Sequence, residues 1–263
     1  MSASASAAAL SADALLALFD AAADAHREAL VPLTGERRRA RTDRPGQYAL
    51  DLVVDEAVLR VLHGAPVAVV SEESGWSGDR GSAITVVVDP VDGSTNCSRE
   101  IPYWGISLCA LDADGPLCAL VTNTPLDERI TAVRGEGARR GGQRLAPSSV
   151  TRVDDAVVAI SGMPKRVLPW KQFRAMGSAA LSLCDVASGR LDGMLDALPD
   201  RHGPWDYLGG LLVCIEAGAS VRDIHHRELA VSDPEARRQL IAGSTPALVE
   251  ALVPAIADEE PDA

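Results

Sequence analysis

The segment VVVDPVDGSTN, Val86 to Asn96, sets Asp89 and Asp92 three positions apart, behind a run of branched apolar residues and ahead of Gly-Ser-Thr-Asn. Taken alone, an aspartate followed by glycine is ordinary turn chemistry. Other carboxylates stand at comparable places. Glu72 and Glu73 follow an apolar run as SEES, Asp51 opens a helical period, and Asp206 opens another as Trp-Asp. Carboxylates gathered at one edge repel each other unless cations sit among them. An all-oxygen donor set suits magnesium, a hard ion that keeps waters for chemistry. Gly93, Ser94 and Thr95 supply the complement, because backbone N–H groups turned outward at the start of a helical turn attract an anion. A phosphate group held between metal and amides is the chemistry this pattern points to.

Such a site requires the runs VAVVS and ITVVVD to be neighbouring strands, with Glu72 and Asp89 emerging at one edge. Between them EESGWSGDRGS reads as turn. Ahead of them, apolar residues at three- and four-residue steps (Leu15, Leu18, Phe19, Ala22) predict a helix over 11–30 capped by Ser11. TGERRRARTDRPGQY reads as loop, and Val54, Val58, Leu59 and Leu62 give the inner side of a helix from Asp51 to Leu62. After Asn96, YWGISLCAL, LCALVTN and ERITAVRG are spaced as a strand meander, and the glycines of Gly135 to Gln143 suit a lobe boundary. Beyond it, DDAVVAIS, LDGMLD, VRDI and QLIAGS read as strands, and SAALSLCDVASGR, WDYLGGLLVCIEAGAS and Pro246 to Ile256 as helices. The alternation puts the chain in the mixed α/β class. The expected organisation is a tail over 1–10, an N-terminal α+β lobe over 11–143 carrying the metal site, a C-terminal α/β lobe over 144–257 and an acidic tail over 258–263.

A net charge of −12 repels phosphate backbones and anionic lipid, so neither nucleic acid nor a membrane surface is an expected partner. The Ala-rich opening lacks a basic start and carries Asp13, Asp20 and Asp24, unlike a signal peptide or a spanning helix. Five cysteines without a C-x-x-C pair read as reduced thiols of a cytoplasmic protein.

DPVDGSTN, preceded by SEES and followed far downstream by WDYLGGLLVCIEAGA, resembles the inositol monophosphatase family of magnesium-dependent, lithium-sensitive phosphatases, from about Asp51 to Ser244. The resemblance implies a layered α-β-α-β-α sandwich of two lobes, often a homodimer, with two or three magnesium ions. It implies Glu72, Asp89, the Val91 carbonyl, Asp92 and Asp206 as metal ligands, Asp89 bridging two ions. It assigns Glu72 and Ser94 to the attacking water, with Asp51 as a further catalytic carboxylate, and the amides of Gly93, Ser94 and Thr95 to phosphate, with no covalent intermediate. This sequence departs from the family pattern at Ser94, Cys97, Gly209-Gly210 and Ala219, none of which removes a ligand.

The small-molecule phosphate ester is less defined. RAMGSAALSLC resembles the segment lining the leaving-group pocket, which nominates Gly177, Ser178 and Ala179, with Arg174 nearby; helix start and core packing are the plainer reading. Inositol-specific members usually carry a glutamate seven residues before the Trp-Asp aspartate. Here Asp196 stands ten and Asp200 six residues before Asp206, and the linker before RAMGS is short. Both features lean towards compact members, some of which also accept fructose 1,6-bisphosphate. Lys165, Arg166 and Lys171 read as a solvated loop with contact to a second phosphate as the functional option, Arg37 to Arg44 as a charged surface loop with a flap as the functional option, and His225-His226 as a turn rather than ligands.

Other readings have discriminating features. A haloacid dehalogenase phosphatase spaces its aspartates two apart, not three. A catalytically silent binding or regulatory homologue would have little use for clustered carboxylates, which cost stability without metal. Histidinol phosphate remains an open substrate; a nucleotide 3'-phosphate is disfavoured, since aromatics are 3% of residues and leave little to stack a base.

Overall fold

The computed structural model describes residues 10–256, so both expected tails lie outside the described residues apart from Leu10. From the N-terminus, α1 (Ala12–Leu30), α2 (Gly35–Arg39) and α3 (Ala49–Leu62) precede β1 (Ala68–Ser71), β2 (Gly75–Gly78) and β3 (Thr85–Asp92). Then come α4 (Ser94–Arg99), β4 (Gly105–Asp112), β5 (Gly115–Asn123), β6 (Glu128–Val133), β7 (Gly137–Arg140) and β8 (Gln143–Arg144). The remainder supplies β9 (Val157–Ser161), β10 (Gln172–Arg174), α5 (Ala179–Ala187), β11 (Gly193–Asp196), α6 (Pro204–Ala217), β12 (Ser220–Asp223), β13 (Leu240–Gly243) and α7 (Pro246–Leu252).

Two sheets result, ordered β2-β1-β3-β4-β5-β6-β7-β8 and β10-β9-β11-β13-β12. Helices α1 and α3 cover the outer face of the first sheet, α5 and α6 lie between the sheets, and α7 packs outside the second. This is the layered α-β-α-β-α arrangement, in the mixed α/β class. It explains why β3 is apolar at every turn of the pleat: Val86 and Val88 enter the core beneath α1 and α3, while Val87 enters the core shared with α5 and α6. Ile106, Leu108 and Ala110 against Cys109 and Leu111 repeat the division in β4.

The Ser11 side chain caps α1 by accepting the Ala14 N–H. The meander β4-β5-β6 is antiparallel, as its spacing implies. Through the glycine-rich stretch after Gly135, β7 and β8 extend the first sheet to its edge. Two further strands and a helix lie in segments read as loop: β2 hairpins back on β1, β10 adds an edge to β9, and α2 interrupts the arginine-rich stretch. All five cysteines are buried free thiols.

Gly209 and Gly210, poor helix formers in the middle of α6, are required by close approach. A Cβ on Gly209 would stand 2.7 Å from Ser107 Oγ, and one on Gly210 2.7 Å from Leu183 Cβ. The pair lets α6 lie tightly against both the first sheet and α5. Its first turn, which bears Asp206, is thereby brought close to the end of β3.

Candidate active site

Parallel pairing of β1 with β3 puts Ser71 opposite Val88, and the next amide, Glu72 N–H, donates to the Val88 carbonyl at 3.2 Å. Glu72 therefore emerges beside Asp89. β3 then loses its regular pairing with β4 between Asp89 and Asp92, and this bulge swings both aspartates to the same side. The Val91 N–H donates to Asp89 Oδ1 at 2.9 Å. Val91 packs its side chain into the outer core yet also lines the cavity, so the cavity meets its backbone. Asp206, in the first turn of α6, accepts the Gly203 N–H at 2.7 Å. Asp89, Asp92 and Asp206 bring carboxylate oxygens within 4.8 Å of one another, and Glu72 faces the same cavity of about 500 Å³.

This carboxylate set is electrostatically uncomfortable by itself. Burial, and then the charges of Asp206 and Glu73, push Glu72 well above the ordinary glutamate range; burial and then Glu72 and Asp92 do the same to Asp89. Burial lifts Asp92 to about 6 despite its hydrogen bond from Ser178. A divalent cation would relieve this repulsion, and the hard oxygen donors suit magnesium. Asp92 is anchored from the opposite wall: Ser178 Oγ donates to its Oδ2 at 2.5 Å, and the Ala180 N–H donates to the same oxygen at 2.8 Å.

Gly93, Ser94 and Thr95 line the cavity after Asp92. Gly93 takes φ +88°, and a Cβ there would meet the Tyr103 carbonyl at 3.0 Å, so a side chain is excluded on two counts. Asn96 fastens the turn, its Nδ2 donating to Met176 O at 2.8 Å and Tyr103 O at 2.9 Å. Gly177, Ser178 and Ala179 also border the cavity. Ser178 Oγ–H and the Ala179 N–H are directed at Asp92, the latter at 3.3 Å from Oδ1.

Three sequence-predicted residues stand elsewhere than at the cavity wall. Asp51 lies behind it, in the first turn of α3, where Oδ2 accepts the Tyr48 N–H at 2.9 Å and Oδ1 is buried without a hydrogen-bond partner among the described residues. Burial raises its pKa to about 7. Asp196 is fully buried off the cavity, its Oδ1 accepting the Leu198 N–H, because β11 runs through the interior of the second sheet. Arg174 is exposed and folds back along edge strand β10, donating to Phe173 O and Gln172 Oε1.

Arg44, Arg201, His202 and Arg237 line the cavity instead. His202 sets Nε2 3.2 Å from Asp196 Oδ2 and Nδ1 3.7 Å from Asp206 Oδ2, ion-pair distances; burial works against its charged form, but these carboxylates outweigh it and raise its pKa. Arg44 reaches over from the loop before α3, 3.6 Å from Glu73. Arg44 had a signal, the arginine cluster; Arg201 and Arg237 had none beyond their charge, since both sit in loops of irregular sequence.

A model of the inositol monophosphatase family matches residues 48–260. A Thermococcus kodakarensis protein named fructose-1,6-bisphosphatase/inositol-1-monophosphatase is 31% identical over 243 residues, covering 88% of this chain and 93% of that protein. An Escherichia coli (strain K12) protein named Nus factor SuhB is 30% identical over 212 residues, covering 74% of this chain and 75% of its own length. Among solved structures, a Pyrococcus horikoshii protein described as having similarities to inositol-1 monophosphatase superposes with a TM-score of 0.84 at 24% identity, over 94% of this chain and 100% of that one.

Proposed function

This chain belongs to the inositol monophosphatase family, and from that premise we propose that it is a magnesium-dependent phosphomonoesterase acting on a small polyol or sugar phosphate. The observation that carries the reading is the convergence of Asp89, Asp92 and Asp206 on one point of the cavity wall beside Glu72. These groups, with the Val91 carbonyl, would hold the ions. Bound magnesium would acidify a water and draw charge from the phosphoryl oxygens. Glu72 and the Ser94 hydroxyl orient that water and take its proton, and the N–H groups of Gly93, Ser94 and Thr95 receive the phosphate oxygens. The water oxygen bonds to phosphorus as the ester P–O bond breaks; the leaving oxygen gains a proton, giving an alcohol and inorganic phosphate. Asp51 acts from behind by holding Tyr48, whose hydroxyl reaches Thr95 Oγ1 at 3.3 Å. Lithium inhibition, a homodimer and a cytoplasmic location belong to the same reading, supported by family membership; no described helix is long and apolar enough to cross a membrane.

Arg201 and Arg237 on the wall favour a second reading, in which the leaving group itself carries a phosphate, the substrate class in the name of the Thermococcus relative. Phosphate release should be assayed from inositol 1-phosphate, fructose 1,6-bisphosphate, histidinol phosphate and phosphoadenosine phosphate, with and without magnesium. Release from the first alone supports the monophosphate reading, and preference for the second supports the bisphosphate reading. Silence across the panel would replace both with a binding or regulatory role, for which the name of the Escherichia coli relative offers a precedent.

A further inference from the structure

His26 lies on α1, outside the cavity, and is fully buried. Its Nδ1 is 2.8 Å from the Pro90 carbonyl and its Nε2 2.9 Å from Thr124 Oγ1. A carbonyl only accepts, so Nδ1 carries the hydrogen. Burial lowers the pKa to about 4, so the ring is neutral and Nε2 accepts from the Thr124 hydroxyl. With that hydrogen committed, the Thr122 hydroxyl must donate to Thr124 Oγ1 at 3.0 Å, while accepting the Ile106 N–H at 3.1 Å. The chain of bonds has one direction and ends on a single backbone atom, the oxygen of Pro90.

That atom is in the bulge between two of the carboxylates the proposed function uses. Pro90 has no N–H, and the next N–H, of Val91, is taken by Asp89 Oδ1. Turning the Pro90 carbonyl back towards α1 leaves the Val91 backbone facing the cavity while its side chain packs in the core. The same peptide orientation brings the Val91 N–H onto Asp89 and so holds that carboxylate's rotamer. Without a donor from α1, the buried Pro90 carbonyl would seek another partner and the bulge would relax.

Resting on the metal-site reading above, we infer that His26 is a positioning residue for the metal ligands, its hydrogen bond to Pro90 setting the bulge that presents Asp89, Val91 and Asp92. Residues that orient ligands from behind typically cost about 10–100-fold in metal affinity when lost. A role confined to packing would instead change stability and leave affinity alone.

The test uses the full chain and manganese as the probe ion, titrated calorimetrically without substrate, beside melting temperatures in chelator. In His26→Asn the amide nitrogen falls near the Nδ1 position and keeps the donor to Pro90; in His26→Gln it falls near Nε2 and leaves Pro90 without one. The glutamine variant should bind manganese roughly tenfold more weakly or worse, with the asparagine variant within about threefold of the parent. Thr124→Val should lower the melting temperature and leave affinity unchanged. Equal affinities for the two histidine variants, or a loss in Thr124→Val matching that in His26→Gln, overturn the inference. Failure of either histidine variant to fold assigns the residue to the fold alone and overturns it too. A parent that binds no manganese sinks the metal site itself, a failure visible before any variant is made.

Discussion

Ser178 donates its hydroxyl hydrogen to Asp92 at 2.5 Å, joining the mouth of α5 to the end of β3 across 86 residues of chain. The middle helix layer thus meets the first sheet at a proposed metal ligand. Ser178→Ala leaves Asp92 with its amide donors and a buried lone pair without its partner. A stability loss of about 1–3 kcal/mol is expected in urea unfolding, with a fall in kcat. Parent values of both would remove Ser178 from the site.

Asp89→Asn separates stability from activity. The parent carboxylate is buried beside Glu72 and Asp92, which disfavours its charge. The neutral amide should raise the melting temperature in chelator while abolishing magnesium-dependent phosphate release. Turnover at the parent rate would contradict the proposed ligand set.

Gly210→Ala tests packing against propensity. Alanine favours a helix interior by about 1 kcal/mol over glycine. Its methyl would stand 2.7 Å from Leu183 Cβ and 2.9 Å from the Ala180 carbonyl, so α6 must shift. Overpacking of this kind costs about 1–3 kcal/mol, and a net loss should appear in urea unfolding. A more stable variant would show that α5 and α6 have room to part.

Without metal, stability should fall as pH rises. Burial, only partly offset by the Tyr48 N–H, lifts Asp51 from 3.8 to about 7. A carboxyl raised on folding favours the folded state most when protonated in both states, below its unfolded pKa, and that contribution is lost as pH climbs through the folded value. The window therefore runs from about pH 4 to about pH 7, and Asp92, lifted to about 6, adds to it. Calorimetry in chelator should show a lower melting temperature at about pH 7.5 than at about pH 5, with a smaller difference in Asp51→Asn. Identical slopes would mean Asp51 ionises in the folded chain as it does unfolded.

Glu72, Asp89, Asp92 and Asp206 were legible because each ends or opens a segment whose period is plain, and the ends of regular segments are where side chains reach a cavity. Arg174 and Asp196 stand off the cavity wall for a common reason. Neither the nearness of Arg174 to the leaving-group segment nor the spacing of Asp196 before Asp206 says which side of a sheet edge or interior strand a side chain takes. What sets Arg201, His202 and Arg237 on one wall is long-range: His202 and Arg238 exchange backbone hydrogen bonds at 3.1 and 2.9 Å, and Arg227 pairs with both Asp200 and Asp223 at 2.7 Å.

From the sequence alone follow the α/β class, most of the regular segments and the acidic residues at their ends, because periodicity and turn chemistry are written in neighbouring residues. Only the tertiary structure decided that β1 lies beside β3, that a bulge aims Asp89 and Asp92 the same way, that α5 grips Asp92, and that a histidine on α1 holds Pro90. Each of these is a pairing or hydrogen bond between segments far apart in the chain. Whether such a contact forms depends on the packing of everything around it, which no local pattern encodes.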